Sequence, residues 1–174
     1  MHRLLRFTAV TAALLAGAAC SHRAGVIDAV IYDESAAGTL LPVTRLRAEP
    51  YSLTYNSGLT DSARVVVTDA RQWAQVWSAI WRNHSPEPAR PEVDFTNEQL
   101  VVAALGERNS GGYGIIVESA AQHPDYVEVV VRTVSPGVRC GTTAALTQPV
   151  DVARIPAGTL PVRFRDRGSV NECP

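Results

Sequence analysis

The run Leu100-Val-Val-Ala-Ala-Leu-Gly-Glu-Arg-Asn-Ser-Gly-Gly-Tyr-Gly-Ile-Ile-Val117 decides how the chain is read. It reads as two apolar strands folded about a glycine-rich turn, Asn109-Ser110-Gly111-Gly112, with Tyr113 immediately after. Small and β-branched residues on both sides suit strands buried in a sheet. Gly111 and Gly112 are expected to supply positive φ in a tight hairpin, with Tyr113 packing on the sheet. The same turn has a functional reading, because exposed backbone amides beside a tyrosine make a good interface anchor. Asn109, Ser110, Gly111, Gly112 and Tyr113 are therefore the first candidate binding site.

Upstream lies the clearest local signal. Trp73, Val76, Trp77, Ile80 and Trp81 fall on one stripe of a 3.6-residue period and predict an amphipathic helix. Thr68 or Asp69 can cap it, with Gln72 placed as in a capping box. Prolines at 86, 88 and 91 forbid its continuation. Three tryptophans on one helix are expected to be core, since large aromatics dominate burial in small domains. Before the helix, Arg45–Thr54 and Ala63–Thr68 alternate like strands about Asn56-Ser57-Gly58, which predicts an antiparallel pair. After the central run, Asp125–Thr133, Val150–Ile155 and Val162–Arg165 read as further strands, with Val127, Val129 and Val131 sharing a face. Strands outnumber helices with no βαβ alternation. The expected fold class is α+β, a mostly antiparallel sheet of about six strands with the helix packed on one face.

The chain has 174 residues, room for one domain with a real core. All 16 basic residues are arginine, which excludes P-loop lysines, Schiff bases and Ser-x-x-Lys pairs. Net charge is −1, and removal of residues 1–19 with Arg3 and Arg6 takes it to 14 − 17 = −3. That balance disfavours nucleic acid as a partner. Residues 1–19 read as a signal peptide, with a charged start at His2, Arg3 and Arg6 and an apolar stretch from Phe7 to Ala16. Leu15-Ala16-Gly17-Ala18-Ala19-Cys20 looks like a bacterial lipobox with Cys20 lipidated, although Gly17 stands where a lipobox usually has Leu. Ala16-Gly17-Ala18 also fits ordinary signal peptidase, which would release a soluble protein. On the lipobox reading, residues 20–43 are a lipidated N-terminus and tether (with a short strand such as Val26–Tyr32 as an alternative). Residues 44–174 are then a single globular domain, lipid-anchored in the cell envelope and facing the periplasm or exterior.

With Cys20 lipidated, Cys140 and Cys173 form an even pair for an oxidising compartment. A bridge between them would close a loop of about 33 residues and contribute on the order of 3–4 kcal/mol. A reactive thiol or metal ligand would need neighbours these positions lack. His2, His22, His84 and His123 stand singly, and no metal or cofactor motif is present. His84, Asp94 and Ser110 occur in the order of a chymotrypsin-like triad, but Asn109 replaces the Asp that precedes that family's nucleophile, and the chain is too short for a double barrel. No catalytic residue is assigned. Arg163, Arg165 and Arg167 alternate on one face of a strand and are the second candidate surface, a docking stripe for an acidic partner or phospholipid headgroups.

Several of these residues together resemble the protease complex subunit PrcB family. They are Trp73 and Trp77, Pro91 to Asp94-Phe95, the strand ending at Gly106-Glu107, and Ser110-Gly-Gly-Tyr113 followed by Ile115 and Val117. The match runs from about Thr68 to Thr133. Cys140, Thr147-Gln148-Pro149, Ile155-Pro156, Phe164 and Cys173 resemble members with a disulfide-closed tail. Ser110 takes the place of a common Thr and keeps the hydroxyl. The resemblance implies a non-catalytic bacterial lipoprotein whose partner is another envelope or secreted protein, as an accessory subunit of an extracellular protease complex. Two alternatives remain at this stage: a protease inhibitor using the Gly-Gly-Tyr loop, and a hydrolase of unrecognised type.

Overall fold

In the computed structural model, which describes residues 38–47 and 55–174, the apolar run after Glu98 is a strand covered on both faces. Leu100, Val102 and Ala104 pack against the tryptophans of the helix. Val101 and Ala103 face a second sheet. Double coverage explains why the strand carries no polar alternation. The elements are β1 (Thr39–Leu41), β2 (Thr44–Arg45), β3 (Ala63–Val67), α1 (Ala70–Ile80), β4 (Glu98–Ala104), β5 (Gly114–Gln122), β6 (Val127–Pro136), β7 (Val150–Pro156) and β8 (Val162–Asn171).

Two four-stranded sheets result, a front sheet of order β1-β5-β6-β8 and a back sheet of order β2-β7-β4-β3. The inner core between them joins Val101, Ala103, Ala153 and Ile155 of the back sheet to Ile115, Val117, Ala120, Val127, Val129 and Val131 of the front. α1 covers the other face of the back sheet. Among the described residues the fold is mostly β with one helix, and the sequence expectation needs two corrections. Eight strands in two layers replace about six in one sheet. The run around Asn109–Gly112 is also not a hairpin, because β4 and β5 lie in different sheets. Its residues cross from one layer of the sandwich to the other.

The upstream pairing differs too. β3 pairs with β4, and β2 pairs with β7; residues 48–54 of the expected partner strand lie outside the described residues, as do Val26–Tyr32 and Cys20. Thr39–Leu41 pair antiparallel with residues 120–122 at the edge of the front sheet. Asn56-Ser57-Gly58 is bonded to distant segments, with Asn56 bridged to Gln148. Gly58 donates its N–H to the Ile80 carbonyl at 2.7 Å, tying the segment to the end of α1. Ser57 holds the Gln148 carbonyl through its N–H and its hydroxyl. The pairings among these strands are antiparallel except β6 with β8, which run parallel. The intervening β7 lies in the other sheet, so the parallel return needs no crossover helix.

α1 forms as read. The Asp69 carboxylate accepts the N–H groups of Arg71 and Gln72, while Gln72 reaches the Thr68 N–H at 3.3 Å. Trp73, Trp77, Ile80 and Trp81 are buried. The proline loop serves the helix: the Trp73 and Trp77 indoles donate to the carbonyls of Pro91 and Pro88 at 3.0 and 2.9 Å. Each tryptophan removes on the order of 200 Å² from water, up to roughly 5 kcal/mol of burial free energy.

Candidate functional site

The crossover from β4 to β5 is braced rather than free. Arg108 and Thr147 exchange backbone hydrogen bonds at 2.8 and 3.0 Å. The Thr147 hydroxyl donates to the Ser110 carbonyl at 2.9 Å, and the Gly111 N–H donates to the Thr143 carbonyl at 3.0 Å. The Ser110 hydroxyl points back to its neighbour's carbonyl, Gly111, at 3.2 Å. Only Gly112 of the two motif glycines has positive φ, at 86°. At Gly111 a Cβ would lie 2.5 Å from Thr143 Oγ1, a contact that rotation of the exposed threonine side chain would relieve. The second positive-φ glycine of this crossover is Gly106, at 78°. Asn109 and Gly112 are exposed, and Ser110, Gly111 and Tyr113 are half-buried.

Tyr113 packs against the edge of the inner core, and the Arg108 guanidinium lies 5.9 Å from its ring centroid. Both side chains line a cleft of about 360 Å³ together with Leu105, Thr133, Val134, Ser135, Gly168, Ser169 and Val170. The crossover forms one wall, and the C-terminal halves of β6 and β8 form the other. Among the described residues no carboxylate lines it. Arg108 Nη1 donates to the Glu107 carbonyl at 2.8 Å, and among the described residues Arg108 makes no ion pair. The Cys140–Cys173 disulfide, with Cα atoms 5.1 Å apart, fixes the end of β8 beside the turn that follows β6.

Arg163, Arg165 and Arg167 do share one face, the outer face of the front sheet, away from the cleft. Their charges are engaged there. Arg163 stacks 4.3 Å over the Tyr126 ring, Arg165 binds both oxygens of Glu128 at 3.1 Å, and Arg167 meets Glu118 at 3.5 Å. Hydrogen bonding and charge from Glu128 hold the Arg165 pKa above its ordinary value. These are exposed pairs of small individual worth.

His84, Asp94 and Ser110 have separate local roles. His84 packs edge-on to Trp81 at 4.9 Å, and Asp94 accepts from the Asn97 side chain and the Thr96 N–H, bonds that lower its pKa. Among the described residues no group of three His, Cys, Asp or Glu side chains converges to hold a metal.

The acid that burial perturbs most visibly is Asp151, facing the inner core from β7. At the bulge in β5 its carboxylate accepts the Val117 N–H at 2.8 Å, while Arg45 donates to the Val117 carbonyl at 2.9 Å and to Asp151 at 3.3 Å. Burial raises the Asp151 pKa, and the Val117 N–H and Arg45 oppose the rise. Asp151 lines neither the cleft nor any other pocket described here, so its perturbed titration belongs to the joint between sheets.

Sequence reasoning named Tyr113 and missed the rest of the cleft. Arg108 stood inside the quoted run, but nothing local linked it to Thr133, Ser135 or Ser169. Those residues meet it only because β8 returns parallel to β6.

No curated protein and no solved structure matches the chain. The model of one family, described as PrcB C-terminal, matches residues 100–156, which is the span from β4 through the crossover, β5 and β6 to the end of β7. It starts later than the resemblance read from the residues and extends past Thr133, leaving α1 and β8 outside. Over residues 100–156, about a third of its length, the chain is similar to the PrcB C-terminal family.

Proposed function

We propose that this protein is a non-catalytic binding module of the bacterial cell envelope, lipid-anchored at Cys20, that serves as an accessory partner to another envelope or secreted protein. A protease complex is the partner class that the PrcB C-terminal match favours. The observation that carries the reading is the pairing of a half-buried Tyr113 with an Arg108 that has no acidic partner among the described residues, side by side at one cleft. Aromatic and arginine side chains next to a concave surface are the common anchors of protein interfaces.

The geometry speaks against the two alternatives. An inhibitor must insert a loop into a protease cleft, whereas Tyr113 here packs on the inner core and Arg108 lines a concave cleft of its own. A hydrolase needs ionisable groups converging on a pocket, and the cleft holds a single charged side chain, Arg108.

The test is recovery of partners from crosslinked cell envelopes with the wild type, Tyr113→Ala and Arg108→Gln. A protein, expected to be a protease or a subunit associated with one, should be captured by the wild type and lost with both variants, while melting temperature falls by only a few degrees. Equal recovery of the same partner by all three would move the binding surface elsewhere, with the Arg163–Arg167 face next in line.

A further inference from the structure

The cleft beside Tyr113 has a polarity that selects among ligands. Its apolar wall is Leu105, the Tyr113 ring and Val170, and its one charge is the Arg108 guanidinium. Thr133, Val134 and Ser135 of β6 and Gly168 and Ser169 of β8, all uncharged, complete the lining. The Nη1 bond to the Glu107 carbonyl fixes the guanidinium without neutralising it. At about 360 Å³ the space lies low in the range of about 300–1,000 Å³ common for ligand pockets. It suits one or two residues of a peptide. It is bordered by β8, which is the edge strand of the front sheet and, among the described residues, has no strand on its outer side. An unpaired strand edge offers hydrogen bonds that an extended peptide can use and a simple anion cannot.

We propose that the cleft receives the free C-terminus of a partner polypeptide. The terminal carboxylate pairs with Arg108, the last side chain, apolar, lies against Leu105, Tyr113 and Val170, and the preceding residues extend along β8. A carboxylate is the anion whose two oxygens match the planar guanidinium fork. Because Arg108 sits at the C-terminal end of β8, a bound strand ending there runs parallel to β8. Gly168 keeps the cleft open. Its backbone has no positive φ, and a Cβ at this position would meet nothing closer than Thr133 Oγ1 at 3.9 Å. A larger side chain at 168 would therefore occupy the cleft without straining the strand.

This inference rests on reading the Arg108–Tyr113 surface as the partner-binding face. Its test uses the full chain in detergent micelles and a fluorescently labelled pentapeptide, Ser-Ala-Ser-Val-Leu, as the free acid and as the C-terminal amide, followed by anisotropy. The free acid is expected to bind saturably and the amide about tenfold or more weakly. Arg108→Gln should weaken the acid by a similar factor and leave the amide unchanged. Gly168→Val should abolish binding of the acid with an unaltered melting temperature. Equal affinity of acid and amide, insensitivity to Arg108→Gln, or no saturable binding would each overturn the proposal. So would displacement of the peptide by octanoate at equal affinity, which would make the cleft a fatty-acid site. A Tyr113-dependent envelope partner together with no peptide binding sinks the C-terminus assignment alone. Peptide binding with no envelope partner sustains the cleft and sinks the accessory role.

Discussion

Asp151 and Arg45 replace a strand where the front sheet runs out of one. β1 pairs only with residues 120–122, and at Val117 both backbone groups are taken by side chains from the back sheet. The carboxylate is buried and its pKa raised, so over a window above the ordinary carboxylate range the folded chain holds a proton that the unfolded chain releases. The stabilising contribution is then present in acid and fades as pH rises through the raised value. Asp151→Asn keeps an acceptor for the Val117 N–H and removes the titration. The stability of the wild type relative to this variant should fall from about pH 4 upward and level off once Asp151 is ionised in both states. Urea unfolding of both proteins across that range checks it, and a difference independent of pH would mean that the carboxylate is as well solvated folded as unfolded. Nothing in the sequence marked Asp151, because its partners Arg45 and Val117 lie far away in the chain.

At the scale of elements, α1 was legible because its determinants are local. The spacing of its tryptophans names the buried stripe, and Asp69 names the start. Its support was less visible: the proline loop that ends the helix also supplies the carbonyls for Trp73 and Trp77. Trp77→Phe should cost about 1–3 kcal/mol by losing the Pro88 hydrogen bond and leaving a small void, measurable as a lower urea midpoint at unchanged slope. Gly58→Ala should cost a similar amount, about 1–3 kcal/mol, since its Cβ would sit 2.6 Å from the Ala79 carbonyl oxygen. An unchanged midpoint for Gly58→Ala would mean that residues 56–58 can lift off the helix without loss. The β4–β5 connection was misread for a reason of the same kind. A strand buried on both faces shows no alternation, so its sequence does not say whether the next strand lies beside it or in the other layer. What separates the layers is the grip of residues 143–147 on the crossover, a contact between distant segments.

At the scale of the whole molecule, the two sheet edges on one side are tied by Arg64, which reaches from β3 to Asp166 on β8 at 2.7 Å. The end of β8 is tied again by the disulfide. Replacing both Cys140 and Cys173 with Ser should lower stability by on the order of 3–4 kcal/mol. Because the bridge anchors the strand that carries Ser169 and Val170, the variant should also loosen the cleft. Comparing urea midpoints with and without reductant tests the first point: the wild type should move to the value of the double variant, and the double variant should not move. The cysteine pair was legible from counting alone, whereas the strand it secures was expected to end at Arg165 and runs to Asn171. The strand order has one more consequence, for the way the molecule is made. β7 sits between β2 and β4, and β8 closes the front sheet, so each layer waits for a strand from the last quarter of the chain. A polypeptide appearing from its N-terminal end can pair β3 with β4 beside α1, and β1, β5 and β6 with one another. β2 finds its neighbour, and β4 and β6 their second ones, only when β7 and β8 arrive, so neither sheet is complete until both late strands are made.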